Sequence, residues 1–185
     1  GGEQFNIYAK FMTTNPVITF ISYGNYFFIL LHAFLGIYLW YVNRSAKGSR
    51  YAVKSTSTSS YSSRNMAWLG TIVLVFIIVH MGQFWFKMKF GELPLENYGT
   101  ETDVKNLYLP VKEAFSNIGF VIFYVISMII IAFHLYHGFQ SGFQSLGLNH
   151  KKYTPIIRGL GKVIAIAVPL GFAVIPIAFY AKYAM

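Results

Sequence analysis

The chain has 185 residues, of which 55% are hydrophobic and only 11% are charged. Soluble domains carry about 25% charged residues, so this composition excludes a soluble enzyme with an ordinary solvated surface and favours a helical membrane protein. The net charge of +9 accompanies no basic helix or aromatic-basic motif, so it does not indicate nucleic-acid binding. Because the sequence contains no cysteine, disulfides, thiolate zinc sites, iron–sulfur ligation and cysteine nucleophiles are excluded within this chain.

Four stretches without charged residues predict four transmembrane helices. They cover residues 16–42, 66–86, 115–139 and 163–181. Each is long enough to cross a hydrocarbon core of about 30 Å at a rise of about 1.5 Å per residue. A helix lying on the membrane surface would carry charges on one face at every turn, and these stretches carry none. The sequence therefore predicts an all-α fold, a polytopic transmembrane helix bundle that forms a single domain over residues 1–185.

The charges between the spans predict the orientation of the chain. Residues 43–64 and 146–162 contain several Lys and Arg but no Asp or Glu, and all six acidic residues lie on the opposite side. The positive-inside rule therefore predicts that these two loops are cytoplasmic, where they can also meet anionic lipid. On the outer side, residues 4–12 are predicted to form a short interfacial helix and residues 91–112 a loop.

Four of the five histidines, His32, His80, His134 and His137, lie inside predicted spans. Ionisable residues within a membrane are costly, tend to face the protein interior and mark functional sites. One interpretation is that each imidazole is neutral and hydrogen-bonds a neighbouring helix. The other is metal or haem ligation, which needs imidazoles opposed across helices. The presence of histidine on three different helices favours the second interpretation, whereas His150 in the basic loop is expected to be solvated.

Depth along the helices distinguishes these histidines. At the helical rise, His32 lies about 15 Å and His134 about 12 Å from the cytoplasmic ends of their helices, and His80 about 22 Å. His32 and His134 are therefore predicted to form a bis-histidine haem pair, whereas His80 has no partner at its level in this chain. His137 shares a helix face with His134. It could be the ligand instead, hydrogen-bond a haem propionate or cap the helix end, but the depths favour His134.

Two glycines are further candidates for cofactor binding. Gly36 follows His32 by four residues, and Gly138 follows His134 by four residues. A glycine one turn along from a ligand leaves room for the edge of a flat macrocycle. Glycines are also common where membrane helices contact each other without any cofactor.

Four segments, in their order and spacing, carry a resemblance to a known family. They are YGNYFFILLH (23–32), VHMGQFW (79–85), HLYHGFQS (134–141) and GLNHKKYTP (147–155). The chain resembles the cytochrome b membrane anchor of succinate dehydrogenase and fumarate reductase, in the five-helix, two-haem form of menaquinone-using bacteria. The resemblance covers essentially all of the chain, from the segment that follows the family's first helix.

The resemblance implies two haem b groups, held by axial histidines on the family's first four helices. It assigns His32 to the second helix, His80 to the third and His134 to the fourth. In the family the second helix pairs with the fourth on the cytoplasmic side, and the first pairs with the third on the outer side. The first helix and its histidine are therefore expected to be missing from this chain, which leaves the partner of His80 outside it.

The implied function is that of a haem b-containing anchor of succinate:quinone oxidoreductase in the bacterial inner membrane. Such a subunit passes electrons between an iron–sulfur subunit and menaquinone, and it does not itself hold the dicarboxylate site. Its expected partners are the flavoprotein and iron–sulfur subunits of the same complex, menaquinone and the lipid bilayer. Electrons could run from succinate to quinone, or in reverse when fumarate is reduced.

Two other classes of protein stay open. A cytochrome b subunit of a quinone-linked hydrogenase or formate dehydrogenase typically places two ligands on one helix, but His134 and His137 are too close to serve two stacked haems. A transporter or a non-haem structural membrane protein is the third class. A transporter would more often have inverted repeats and broken helices, and we detect neither in the sequence.

Overall fold

A computed structural model describes residues 2–46 and 65–184 of the chain. Within these residues the chain forms six helices and one antiparallel pair of strands. The helices are α1 (Glu3–Thr14), α2 (Pro16–Ala46), α3 (Met66–Phe90), α4 (Tyr108–Phe115), α5 (Ile118–Ser145) and α6 (Thr154–Tyr183), and the strands are β1 (Leu95–Tyr98) and β2 (Glu101–Lys105). Helix α3 changes from α-helical to π-helical geometry over Met81–Phe86 and returns to α-helix at Lys87.

Helices α2, α3, α5 and α6 are each long and apolar enough to cross a membrane. They confirm the predicted all-α, polytopic bundle. Several extend beyond the predicted spans, because backbone hydrogen bonding continues past the last apolar side chain. Helix α6, for example, begins at Thr154 and not near residue 163. The predicted cytoplasmic loop 146–162 is therefore a short connection followed by a helix, and most of loop 43–64 lies outside the described residues.

The segment between α3 and α5 is folded, whereas the sequence predicted only a loop over residues 91–112. Strands β1 and β2 form a hairpin there, and α4 follows it. The predicted span that starts at residue 115 is wrong at its start, because α4 ends at Phe115 and a new helix begins at Ile118. Between them Asn117 has extended backbone geometry, and its side-chain oxygen accepts a hydrogen bond from Gly119 N–H at 2.8 Å. This is an N-cap, which starts α5 as a separate helix.

The N-terminal helix α1 confirms a helix at residues 4–12 and is joined directly to the first long helix. Asn15 separates the two helices, and its Oδ1 accepts hydrogen bonds from the N–H groups of Val17 and Ile18 at 3.0 and 3.2 Å. Pro16 occupies the first position of α2, where its fixed φ suits a helix and its missing N–H has no cost. The chain therefore leaves α1 and enters the long helix within one residue.

Asn6 of α1 joins three elements of the outer segment. Its side chain is only 1% exposed. Its Nδ2 donates to the Tyr98 hydroxyl at 2.9 Å and to Asn106 Oδ1 at 3.2 Å. Its Oδ1 accepts a hydrogen bond from Tyr108 N–H at 2.9 Å. The amide thus links α1 to β1, to the residues that follow β2, and to the start of α4.

Two further contacts support this outer assembly. The Tyr98 hydroxyl donates to the Glu96 carboxylate, and this hydrogen bond raises the pKa of the Tyr98 phenol above its ordinary value. Lys10 of α1 forms an ion pair with Glu101 of β2 at 2.9 Å. The hairpin is thus attached to α1 from both of its strands.

The core of the bundle lies where α3, α4 and α5 meet, and α6 packs against α5. The buried hydrophobic cluster consists of Phe76, Phe115, Val121, Tyr124 and Met128. Gly161 of α6 is buried and lies against Phe139 of α5. A Cβ at that position would lie 2.6 Å from Phe139 Cδ1. Glycine is therefore required there by the close approach of the two helices.

We predict that Gly161→Leu destabilises the bundle by about 1–3 kcal/mol, the usual cost of overpacking a close contact. Gly171→Leu, on the same helix, is the matched control, because a Cβ at Gly171 meets no atom within 4 Å. Thermal unfolding of the detergent-solubilised protein, followed by circular dichroism, would compare the two variants. Equal melting temperatures for the two variants would contradict the close approach at Gly161.

We also predict that Asn6→Leu loosens the outer assembly. The substitution removes three hydrogen bonds between partly buried groups and leaves Tyr108 N–H without its acceptor. A polar group that loses its partner in this way costs about 1–3 kcal/mol. Limited proteolysis of the reconstituted protein should then cleave the segment between α3 and α4 faster than in the wild type. Gln4→Leu, on the exposed face of α1, is the control and should leave the cleavage rate unchanged.

Candidate functional site

The structure brings together two of the histidines that the sequence singled out. The imidazole rings of His32 on α2 and His134 on α5 have centroids 6.0 Å apart, and their planes are perpendicular. The depth count along the helices predicted that these two side chains lie at the same level, and the structure agrees. His134 is half-buried and His32 is exposed. The ring pair joins α2 to the part of the bundle formed by α3, α5 and α6.

The separation of the two rings suits ligation of one iron from opposite sides. An imidazole nitrogen lies about 2.0–2.1 Å from a first-row metal such as zinc, so two imidazoles on opposite sides of one ion have centroids roughly 6 Å apart. Two neutral imidazoles can also meet edge to face at this distance.

His134 has an unpaired ring nitrogen. Its Nδ1 is buried and has no hydrogen-bond partner among the described residues. An unpaired buried polar atom is costly, and in native proteins it usually marks a functional group or a missing partner. The donor chemistry and the spacing of this pair therefore fit a haem iron, whose axial positions need only two protein ligands.

Helix α3 packs against one member of this pair, His134. A Cβ at Gly70 would lie 3.7 Å from His134 Cε1, so the α3 backbone comes up to the edge of that ring. Gly36 and Gly138 have open space beside them, since a Cβ at either would meet no atom within 4 Å. Open space is what a macrocycle edge would need. The same openness occurs at Gly171, so it does not single out these two glycines.

His80 lies elsewhere in the bundle, surrounded by aromatic rings. The ring centroids of Phe76, Phe84 and Tyr124 are 5.6, 5.2 and 6.0 Å from that of His80. His80 is nevertheless exposed. Among residues 2–46 and 65–184 no other imidazole packs against it. The π-helical part of α3 begins at the next residue, and such segments are frequent at functional sites.

Two polar residues beside His80 were missed in the sequence analysis. The Tyr124 hydroxyl lies 3.4 Å from His80 Nδ1 and donates a hydrogen bond to Gln83 Oε1 at 2.6 Å. Tyr124 is 5% exposed and belongs to the buried core. The signal that could have found Gln83 is an amide inside an apolar span, three residues after a histidine. Such an amide requires a hydrogen-bonding partner from a neighbouring helix.

The remaining two histidines have different surroundings. His137, one turn after His134 on α5, has no hydrogen bond among the described residues, and the ring that contacts His32 is that of His134. His150 is exposed and stabilises the start of α6, because its Nδ1 accepts from Lys152 N–H and its own N–H donates to Thr154 Oγ1. Its role as a loop residue therefore includes local hydrogen bonding.

Comparison with family models, with curated proteins and with solved structures finds no match to this chain. Within the part of the chain that the structure describes, no three His, Asp or Glu side chains cluster as ligands of a single metal ion. The fold and the site together define a class: an α-helical protein with four helices able to span a membrane and a pair of neighbouring histidines on two of those helices.

Proposed function

We propose that the chain is a haem b-containing membrane anchor of succinate:quinone oxidoreductase, which passes electrons between an iron–sulfur subunit and menaquinone. The observation that carries the proposal is the facing pair of His32 and His134, 6.0 Å apart on two different apolar helices. The order and spacing of the four sequence segments support the assignment to this family. Haem b, when bound, supplies a one-electron carrier.

In this proposal His32 and His134 would hold the first haem. The apolar residues of α2 and α5 keep water and mobile charge away from it, so the ligands and local hydrogen bonds govern its potential. Gly70 lets α3 support the ring of His134 without a side chain between them. Gly36 and Gly138 border the space that the macrocycle would occupy.

His80 holds the second haem in this proposal. It lies 10 residues before the end of α3 at Phe90, nearer to the outer segment than the His32–His134 pair. Of the described residues, His80 would be the ligand of this haem, and a second ligand would come from outside them. The proposal thus has two haems at two depths, which is the arrangement needed to carry electrons across the membrane.

The basic end of the bundle suits the proposed partners. Lys151 and Lys152 lie in the connection between α5 and α6, and Arg158 and Lys162 lie on the first turns of α6; all four are exposed. Arg44, near the end of α2, lies 5.4 Å from the centre of the Trp40 ring. Basic side chains beside the membrane bind anionic lipid and acidic protein surfaces. We propose that this end is cytoplasmic and carries the iron–sulfur and flavoprotein subunits at the bacterial inner membrane.

The ligand assignment predicts that His134→Ala and His32→Ala each abolish the same low-spin b haem, because loss of either axial ligand leaves the iron with one. A reduced-minus-oxidised spectrum with haem-to-chain stoichiometry would measure this in the purified complex. His137→Ala is the matched control, one turn away on the same helix, and should keep both haems. His80→Ala should lose the other haem.

Several outcomes would overturn parts of this assignment. A wild-type complex without haem would exclude a cytochrome b altogether and favour a non-haem transport or structural protein. Loss of haem in His137→Ala with retention in His134→Ala would exchange the two ligands.

The choice of dehydrogenase has its own test. Succinate added to native membranes should reduce the b haem of this chain, and formate or hydrogen should not. The reverse result would assign the chain to the cytochrome b subunit of another quinone-linked dehydrogenase or hydrogenase.

A further inference from the structure

A polar chain of three side chains crosses from α3 to α5 beside His80. Gln83 and His80 lie on α3, and Tyr124 lies between them on α5. The Tyr124 hydroxyl is 2.6 Å from Gln83 Oε1 and 3.4 Å from His80 Nδ1. Aromatic rings surround this group, with the centroids of Phe76 and Phe115 at 5.3 and 5.0 Å from that of Tyr124.

The hydrogen-bond directions follow from counting protons. A phenol has one hydrogen to donate, and the short contact to Gln83 Oε1 uses it. The phenol oxygen can then only accept from the imidazole, so His80 carries its proton on Nδ1. The ring nitrogen Nε2 is left with a free lone pair. In a neutral imidazole that nitrogen is the one available to a metal.

We propose that Tyr124, held in place by Gln83, is a positioning residue for His80. It fixes the Nδ1–H tautomer and orients the imidazole so that Nε2 ligates the outer haem. This inference rests on the proposed function, since it concerns one of the two haem sites. Partners of the non-ligating nitrogen fix the ring and raise ligand basicity at metal sites generally.

The surroundings explain why this contact matters at His80. The ring is exposed, and the two aromatic rings that contact it from its own helix, Phe76 and Phe84, offer no hydrogen bond that would fix its tautomer. Tyr124 is 5% exposed and belongs to the buried core, so it provides a rigid reference point. Gln83 lies within the π-helical segment that begins directly after His80. His80 and Gln83 therefore both lie at the place where α3 changes from α-helical to π-helical geometry.

The test is Tyr124→Phe in the full chain, purified with its complex, because this change keeps the ring and removes only the hydroxyl. We expect the affinity of the His80 haem to fall by about 10–100-fold. Its midpoint potential should rise, since a less basic imidazole stabilises ferric iron less. Each tenfold loss of ferric over ferrous binding corresponds to about 59 mV for one electron. The haem held by His32 and His134 should keep its potential and reports that the bundle is folded.

Two variants complete the design. Gln83→Leu removes the acceptor that holds the phenol, and it should shift the same haem in the same direction. Should Tyr124→Phe fail to fold and lose both haems, Gln83→Leu decides the question. Tyr180→Phe is the matched control, because this tyrosine packs on the same core and its hydroxyl has no hydrogen bond among the described residues. It should leave both haems unchanged.

The outcomes separate the two levels of inference. Two haems in the wild type, with unchanged content and potentials in Tyr124→Phe and Gln83→Leu, would overturn the role of Tyr124 and leave the proposed function standing. A wild type without haem would overturn the proposed function itself. A change in the His32–His134 haem alone would also overturn the positioning role, because Tyr124 contacts His80 and neither of those two residues.

Discussion

The cost of an unpaired polar group in hydrocarbon governs the arrangement of this bundle. Within the lipid, every buried donor and acceptor must find a partner inside the protein, at several kcal/mol for each failure. The apolar stretches predicted as spans contain no Asp, Glu, Lys or Arg, so their ionisable chemistry is carried by imidazoles and phenols. At the level of His80, the imidazole lies beside the phenol of Tyr124, which donates a hydrogen bond to the amide of Gln83. At the other level, the imidazoles of His32 and His134 lie together, and the buried Nδ1 of His134 has no partner among the described residues. That nitrogen is the one buried side-chain polar atom that the described residues leave without a hydrogen bond.

In the outer segment, side chains alone provide the hydrogen-bond partners of the buried polar group Asn6. Outside the apolar stretches the chain carries many polar side chains that can donate or accept hydrogen bonds. The buried amide of Asn6 forms hydrogen bonds with three groups there, on Tyr98, Asn106 and Tyr108. Tyr108 extends this network to the end of α6, where its hydroxyl is 2.5 Å from that of Tyr183. Helices α1, α4 and α6 are thereby connected on one side of the bundle. Such polar side-chain contacts fix the ends of helices whose apolar faces alone would leave their relative positions loosely specified.

The sequence predicted the four long apolar helices and the shared level of His32 and His134, because both depend on position along a helix. Absence of charge over about 20 residues can be found without knowledge of neighbouring helices, and a constant rise converts residue number to depth. The sequence did not predict the features that depend on how a helix is rotated about its axis or on contacts between helices. Asn117 ends one helix and caps another inside an apolar stretch that hydropathy treats as continuous. The hairpin is held by side-chain contacts with α1, which is distant in the sequence. The contact of Tyr124 with His80 depends on which faces of α3 and α5 meet. The π-helical turn has no compositional signature at all.

The two histidine levels differ in chemistry, and the difference has a consequence for electron flow under the proposed function. His80 has a hydroxyl acceptor opposite its Nδ1, whereas His134 Nδ1 has no partner among the described residues. A hydrogen-bonded imidazole is the more basic ligand, and it favours ferric iron. With otherwise equal surroundings, the level at His80 would therefore have the lower potential. Electrons would be held more readily at the level of His32 and His134, nearer to the basic end of the bundle. One hydroxyl group on α5, that of Tyr124, would thus give the two histidine sites unequal affinities for an electron.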